Sequence, residues 1–374
     1  MRGAKIDSKH GQTAPKRSIL KPKGWPRRVW LFLGSGVLLI VIVVVVVVVV
    51  GAVVGVKATK MSDHSIGEGP YPDYAKLKYA LADVYLPSRL FSQFEYFDGE
   101  DPSNRFVQYS SEQDALQRVK PHFRFFPGKS VIIRADNSEN ATNGRRSIRL
   151  QSKKQYKHGL FIFDVKHSPY GCNSQPAFWL ADPNNWPENG EAAQAAAWKV
   201  KRKMLGSFSS HDCSTARPGF LNGCMAHGFF EGQNAKVIHT MGEGYNQEGG
   251  GVVAMEYRKE GIRIWQFKRN EIPKDISLDG EQQQQKTSSP DPKSWGPAFA
   301  DFPSTNCDIG SHFKNQSIIV NINFCGDGPY GWGADCSQRF PQYDSCEAFV
   351  SANGTAFDNT YWEFGSFQVF QAQI

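Results

Sequence analysis

Between Arg28 and Lys57 the chain runs for 28 residues without a charge, and Val43 to Val50 is unbroken valine. As a helix such a stretch is about 42 Å long, enough to cross a hydrocarbon core of about 30 Å with some tilt. A surface helix of a globular domain keeps a polar stripe, and this segment has none. A cleavable signal peptide has an apolar core of about 7 to 15 residues and ends in a small-x-small cleavage site. Here the apolar run is longer, a 28-residue basic region precedes it, and Gly55-Val56-Lys57 is a poor cleavage site. The pattern is that of a retained signal anchor over residues 29–56, a single transmembrane helix.

Charge divides at the same place. Residues 1–28 hold nine Lys and Arg and one acid, Asp7, whereas 34 basic residues face 35 acidic ones from Lys57 onward. The formal net charge of +7 therefore belongs to the tail, and it gives the rest of the chain no reason to bind nucleic acid. A basic flank stays cytosolic, which implies a single-pass type II membrane protein with its C-terminal part extracellular or lumenal. The tail, with Pro15, Pro22 and Pro26, reads as disordered. The bilayer is a partner through residues 29–56, and the tail meets anionic lipid.

Residues 57–85 show little periodicity and read as a stalk, which leaves 86–374 as the domain. All seven cysteines lie there: Cys172, Cys213, Cys224, Cys307, Cys325, Cys336 and Cys346. That distribution fits disulfides in an oxidising compartment. The spacings do not suit zinc and no C-x-x-C occurs, so neither a metal nor a cofactor is expected. An odd count leaves one thiol over. Sequons at Asn140, Asn315 and Asn353 add mild support for a secretory route and glycosylation. Short apolar or alternating runs recur between turn residues: 130–134, 160–165, 252–257, 262–267, 317–322 and 367–371. Ile262 to Phe267 alternates as a half-buried strand does. Many short strands and no long amphipathic helix outside 191–204 indicate an all-β sandwich or barrel.

The segment His158 to Val165, then Pro169-Tyr-Gly-Cys172, Pro176-Ala-Phe-Trp-Leu180 and Trp186-Pro-Glu-Asn-Gly-Glu191, resembles glycoside hydrolase family 16. Within it the fungal laminarinase-like endo-β-1,3(4)-glucanases are most similar. Phe97-Asp-Gly-Glu-Asp101, Gly144 to Leu150, Gly249 to Glu256, Ile272-Pro273, Cys307-Asp-Ile309, His312 to Gln316, Phe324 to Asp327 and Tyr361-Trp-Glu363 follow in the same order. The resemblance spans about residue 90 to the end. It implies a concanavalin-like β-jelly-roll sandwich that binds a β-glucan of the cell wall.

The family's catalytic signature resembles G-E-I-D-x-x-E on one strand. Residues two apart share a strand face, so the first Glu and the Asp point into the cleft, and a bulge brings the second Glu beside them. Two carboxyls about 5 to 5.5 Å apart then support retaining hydrolysis. Here the sequence is Gly190-Glu191-Ala192-Ala193-Gln194-Ala195-Ala196. The resemblance places Glu191 at the nucleophile position, while Ala193 and Ala196 occupy the Asp and acid/base positions. Alanine neither donates nor accepts a proton. Glu188 has the wrong strand parity and follows Pro187, so it carries little weight as a substitute.

The whole block Ala192 to Lys203 is shorter than the family's and strongly helical in propensity, against its strand context. Two origins fit. Either the chain lost catalysis, or its reading frame crosses a misplaced exon boundary; the clean resumption of pattern near Met204 favours the second. The missing piece would carry a cysteine, which leaves Cys172 without a partner and Cys213–Cys224, Cys307–Cys325 and Cys336–Cys346 to pair locally. The family often has Trp where Gln175 stands, so one sugar subsite is weakened. Trp179 is read as core before cleft, Trp186 as either, and both are candidate sugar-stacking residues. His312, Glu256 and Asp327 read as structural. The expectation is a membrane-anchored endo-β-1,3(4)-glucanase-family protein, impaired as written; the alternative is a non-catalytic β-glucan-binding surface protein.

Overall fold

The computed structural model describes residues 77–117, 123–126, 130–138, 140–186, 204–210, 225–227, 239–279, 289–304, 308–326, 332–333 and 335–373. Among these residues no helix is long and apolar enough to cross a membrane. The anchor 29–56, the tail 1–28, Glu188, Glu191, the block 192–203, Asp327, Cys213, Cys224 and Cys307 lie outside them.

The described strands form two sheets packed face to face. In the larger, β14 (Ala300–Pro303), β13 (Gly261–Lys268), β12 (Gly251–Arg258), β8 (Gly159–His167), β16 (Tyr361–Gln373), β5 (Ser130–Arg134) and β4 (Phe123–Phe126) neighbour one another in that order, and β1 (Lys78–Tyr85) also pairs with β16. The smaller runs β2 (Phe94–Tyr96), β7 (Arg149–Tyr156), β15 (Gln316–Phe324), β9 (Ser174–Ala181). Two short ribbons, β3 (Val107–Tyr109) with β6 (Arg145–Ser147) and β10 (Ser207–Ser210) with β11 (Met225–His227), complete the set. All six runs expected as strands fall within strands. Residues 78–85, expected in the stalk, are instead β1, in antiparallel register with β16 from Lys78↔Gln373 to Tyr85↔Phe367. The Tyr79-Ala-Leu-Ala-Asp-Val-Tyr85 run carries buried Tyr79, Val84 and Tyr85, so the domain begins before residue 86.

Strand alternation builds the core. From the smaller sheet Ile318, Val320, Ile322 and Phe324 point inward, and from the larger Phe161, Phe163 and Val165 meet them. Phe163 sits edge-on to Phe178 at 4.3 Å and to Phe367 at 5.3 Å, which ties β8, β9 and β16 together. Each such ring removed from water contributes about 1.5 to 3 kcal/mol. The glycines before β12 turn the chain in left-handed conformation, with φ 80° at Gly249 and 71° at Gly250.

The larger sheet is covered on its outer face as well, which corrects the half-buried reading of residues 262–267. Ile262 packs on the main core, while Trp265 joins Val252, Ala254, Leu160 and Ile162 in a second cluster closed by Ile276 and Ala298. Alternation measures which side chains share a face, and it cannot say that a later segment returns to cover the other one. Within this layer the Glu256 carboxylate accepts from the Tyr79 hydroxyl at 2.5 Å and from Arg263 through Nε at 3.0 Å and Nη2. Burial pushes the Glu256 carboxyl up to about 7, and the Tyr79 hydrogen bond is the largest influence holding it down. This agrees with the structural role expected of Glu256.

The cysteine pairing differs from the expected one. Cys172 is bonded to Cys336 and Cys325 to Cys346, so Cys172 has a partner and the local pairs 307–325 and 336–346 do not form. Sequence proximity misled because the register Phe324↔Ser174 sets the end of β15 beside the start of β9, and the backbone N–H of Cys325 donates to Asn173 O at 3.1 Å. Peptide mapping without reduction should therefore recover cross-links 172–336 and 325–346. Cys346→Ser should lower stability by about 3 kcal/mol in thermal melts, since the 21-residue separation closes a loop of moderate length. Recovery of 307–325 or 336–346 peptides would contradict the fold around β15.

Candidate functional site

The outward face of the smaller sheet carries the chemistry. On β15 the residues alternating with the core row are Ile319, Asn321 and Asn323, and the register aligns them with Trp179, Ala177 and Gln175 of β9. On the other side Gln151 and Arg149 of β7 stand opposite Ile319 and Asn321. Trp179 therefore lies on the face away from the core, between the inward-facing Phe178 and Leu180. Its Nε1 donates to Asn321 Oδ1 at 2.8 Å, and its ring meets that of Trp186 edge-on at 6.0 Å. Trp186 stands in the turn after β9, and its buried Nε1 has no hydrogen-bond partner among the described residues.

A polar network surrounds the two indoles. Asn321 Nδ2 donates to Asn323 Oδ1 at 2.9 Å, Asn323 Nδ2 donates to Asp101 at 3.3 Å, and the Tyr109 hydroxyl donates to Asn323 Oδ1. The Arg149 guanidinium lies 4.6 Å from the Phe97 ring centre and 5.6 Å from that of Trp179. Burial lowers the Arg149 pKa, and Tyr109 and Asp101 work against that shift. Burial also raises the Tyr109 hydroxyl, which stays a neutral donor. Gln175 lies against Gly326 so closely that a Cβ there would collide with its amide.

Such a surface can do one thing well. Indole faces accept the C–H side of a pyranose ring, while fixed amides, a phenol and a guanidinium satisfy hydroxyls. The face brings together Trp179, Trp186 and the Gln175 position. Asp101, Tyr109, Arg149, Asn321 and Asn323 received no role from the sequence. The strand Ile318-Ile-Val-Asn-Ile-Asn-Phe324 held the signal, since two amides at alternate positions mark a polar face opposite an apolar one. His312 closes a short helix, Ile309–His312, away from these residues in sequence and role. Among the sequons, Asn140 and Asn315 are exposed at φ 65° and 50°, while Asn353 is half-buried with Nδ2 donating to Phe349 O at 3.0 Å.

Residues 94–193 and 192–370 match the XgeA-like catalytic GH16 domain family, in two segments that meet at the expected catalytic block. The chain is 35% identical over 321 residues to a probable glycosidase of Schizosaccharomyces pombe, covering 80% of this chain and 71% of that protein. It is 33% identical over 324 residues to an endo-1,3(4)-beta-glucanase of Arthroderma benhamiae, covering 81% and 67%. Among solved structures it is similar to GH16 Laminarinase 16A from Phanerochaete chrysosporium, which holds two β-glucans, 6-O-glucosyl-laminaritriose, in its donor and acceptor sites. That likeness has a TM-score of 0.66 at 30% identity and covers 79% of this chain and all of the other.

Proposed function

This chain belongs to glycoside hydrolase family 16, among its endo-1,3(4)-β-glucanases, and from that premise we propose a membrane-anchored protein that binds cell-wall β-glucan and hydrolyses it poorly. The observation that carries the binding half is the row Trp179–Asn321–Arg149 on an outward sheet face, flanked by Trp186 and Phe97. A glucan chain laid along it stacks on the half-exposed indoles and reaches the hydroxyl-bonding capacity of half-buried Asn323, while Asn321 and Arg149, buried beneath, hold Trp179 in place. The relatives' names and the ligands of Laminarinase 16A support the same substrate class.

The hydrolytic half rests on Glu191. In a retaining mechanism this carboxylate attacks the anomeric carbon while a second, protonated carboxyl delivers a proton to the leaving oxygen. Ala193 and Ala196 supply neither that proton nor the neighbouring charge. The family match divides into two segments at residues 192–193, the place where the signature is expected. Reading the transcript across codons 190 to 204 tests which origin applies, because an uninterrupted message for Ala192 to Lys203 excludes a misplaced boundary.

Anchoring is supported by the uncharged 29–56 stretch and its basic flank, which orient the domain to the extracellular or lumenal side. Retention of the full chain on insoluble β-glucan measures binding without requiring turnover. Trp179→Ala should weaken that retention about tenfold, the loss of one stacking platform, and should also lower the melting temperature, because buried Asn321 Oδ1 loses its donor. Undiminished retention by the variant would move the sugar site off this face.

A further inference from the structure

At one end of the sandwich the turns joining β7 to β8 and β12 to β13 stand beside the loop that enters β15. They enclose a pocket of about 390 Å³, within the range of about 300 to 1,000 Å³ common for small-ligand sites. Its lining includes Lys157, His158, Tyr257, Lys259, Phe313 and Asn315. Tyr257 is buried and its hydroxyl donates to Phe313 O at 2.6 Å, so the half-buried Phe313 ring supplies the aromatic floor. Beside the ammonium groups stands the exposed Asp308 carboxylate, 3.5 Å from the point a Cβ on Gly310 would occupy. An aromatic floor within surroundings of both signs suits a neutral polyhydroxylated group, which needs donors and acceptors together.

Asn315 can hold such a group there covalently. Gln316 pairs with Tyr156, so Asn315 precedes β15 beside the Lys157-His158 turn. It is exposed, its φ of 50° is left-handed, and its amide has no partner among the described residues. Phe313 stands two residues before it, and Ser317 two residues after it completes the sequon Asn-Gln-Ser. The other two sequons lack these features. Asn140 is exposed but lines neither this pocket nor the one beside Tyr109. Asn353 is half-buried, with Nδ2 donating to Phe349 O at 3.0 Å where the helix Cys346–Ala352 ends.

We propose that Asn315 carries an N-linked glycan whose first N-acetylglucosamine is seated in this pocket against Phe313. The proposal rests on the extracellular or lumenal placement of the domain in the previous subsection. A C–N bond forms between Asn315 Nδ2 and the anomeric carbon of a lipid-pyrophosphate-linked oligosaccharide of the secretory lumen. The C–O bond from that carbon to the pyrophosphate breaks, and one amide proton is given up as the lipid pyrophosphate leaves. The C–H side of the sugar then covers Phe313, while its acetamido group and hydroxyls meet the lysines, His158 and Asp308. One stacking contact of this kind raises the melting temperature by about 2 to 4 °C.

The test expresses the full chain in a eukaryotic secretory host and maps the three sequons by glycopeptide mass spectrometry. Glycan release by an enzyme that hydrolyses the Asn–sugar bond is then timed on folded and on denatured chain. Expected is release about tenfold slower at Asn315 than at exposed Asn140 in the folded chain, with the two equal after denaturation. Trimmed to a single N-acetylglucosamine, the chain should melt about 3 °C above Asn315→Gln, and the difference should vanish when both carry Phe313→Ala. The release rates need no variant, so they decide the matter even where Phe313→Ala fails to fold. An occupied Asn315 that loses its glycan as fast as Asn140 overturns the seating. So does a melting difference that persists with Phe313→Ala, which belongs instead to backbone strain at the left-handed position. A bare Asn315 beside an occupied Asn140 overturns the modification and leaves the placement of the domain intact. Three bare sequons overturn that placement and the proposal with it.

Discussion

Incubated with laminarin or lichenan, the full chain should release reducing ends about 10²- to 10⁴-fold more slowly than a version whose 192–203 block is replaced by one restoring the Asp and the second Glu. The estimate follows from the missing proton donor alone. A glycosidic oxygen leaves as an alkoxide unless it is protonated as the bond breaks, and neither Ala193 nor Ala196 holds a proton. Loss of the intervening Asp adds to the deficit by changing the charge around Glu191. Residual release should vanish in Glu191→Gln, because Glu191 is the one carboxylate left at the signature positions. Binding to insoluble glucan should be retained in both, since the Trp179 and Arg149 row does not include the block. A rate for the unaltered chain within about tenfold of the restored one would show a working acid elsewhere, and Glu188 would be the first residue to substitute.

Arg263→Met should cost about 3 to 5 kcal/mol at pH 8, a drop of roughly 10 °C in melting temperature. The guanidinium clamps Glu256 through two nitrogens in a layer where Glu256 is only 2% exposed, and Asp301 stands opposite Arg263 in the register. Without the clamp a buried carboxylate loses two charge-assisted hydrogen bonds and keeps only the more distant Arg258 as a favourable charge. The penalty should shrink toward pH 5. Burial already raises the Glu256 carboxyl from 4.5 to about 7, so the folded chain holds this proton more tightly than the unfolded one. For such a group stability is lost as pH rises from the ordinary value through the raised one, and the loss levels off above it. Removing Arg263 enlarges that slope, and adding Glu256→Gln should flatten it. Equal losses at pH 5 and pH 8 would contradict the assignment of Glu256 as the group responsible.

Local periodicity was a sound guide wherever one strand decides its own faces. The runs at 130–134, 160–165 and 317–322 lie in strands because alternating or continuous apolar residues can bury only in that form. It was a poor guide where a second segment intervenes. Tyr79 to Tyr85 looked like stalk since its partner, β16, lies nearly 300 residues away in sequence. Residues 262–267 read as a half-buried strand because nothing local announces that residues 276 and 298 cover the face that carries Trp265. The site shows the same split. Trp179 and Trp186 were legible as aromatic residues near the signature, but the face on which Trp179 lies depends on the β9–β15 register. Arg149 and Asn321 sit on strands far apart in the chain, and only their opposition across β7 and β15 makes them one surface.

Three things were determined by the sequence alone: the uncharged 29–56 stretch, the near-neutral balance beyond it, and the alanines at 193 and 196. Each depends on which atoms are present, so no arrangement of the chain can alter it. An alanine carries no proton wherever it is placed. The pairing of Cys172 with Cys336, the outward aim of Trp179 and the Glu256–Arg263 clamp were decided by the tertiary structure. These depend on distances between residues remote in sequence, set by strand register and by how the two sheets bury their common core. A one-residue slip of β15 against β9 would change all the neighbours on the Trp179 face without changing a letter of the sequence.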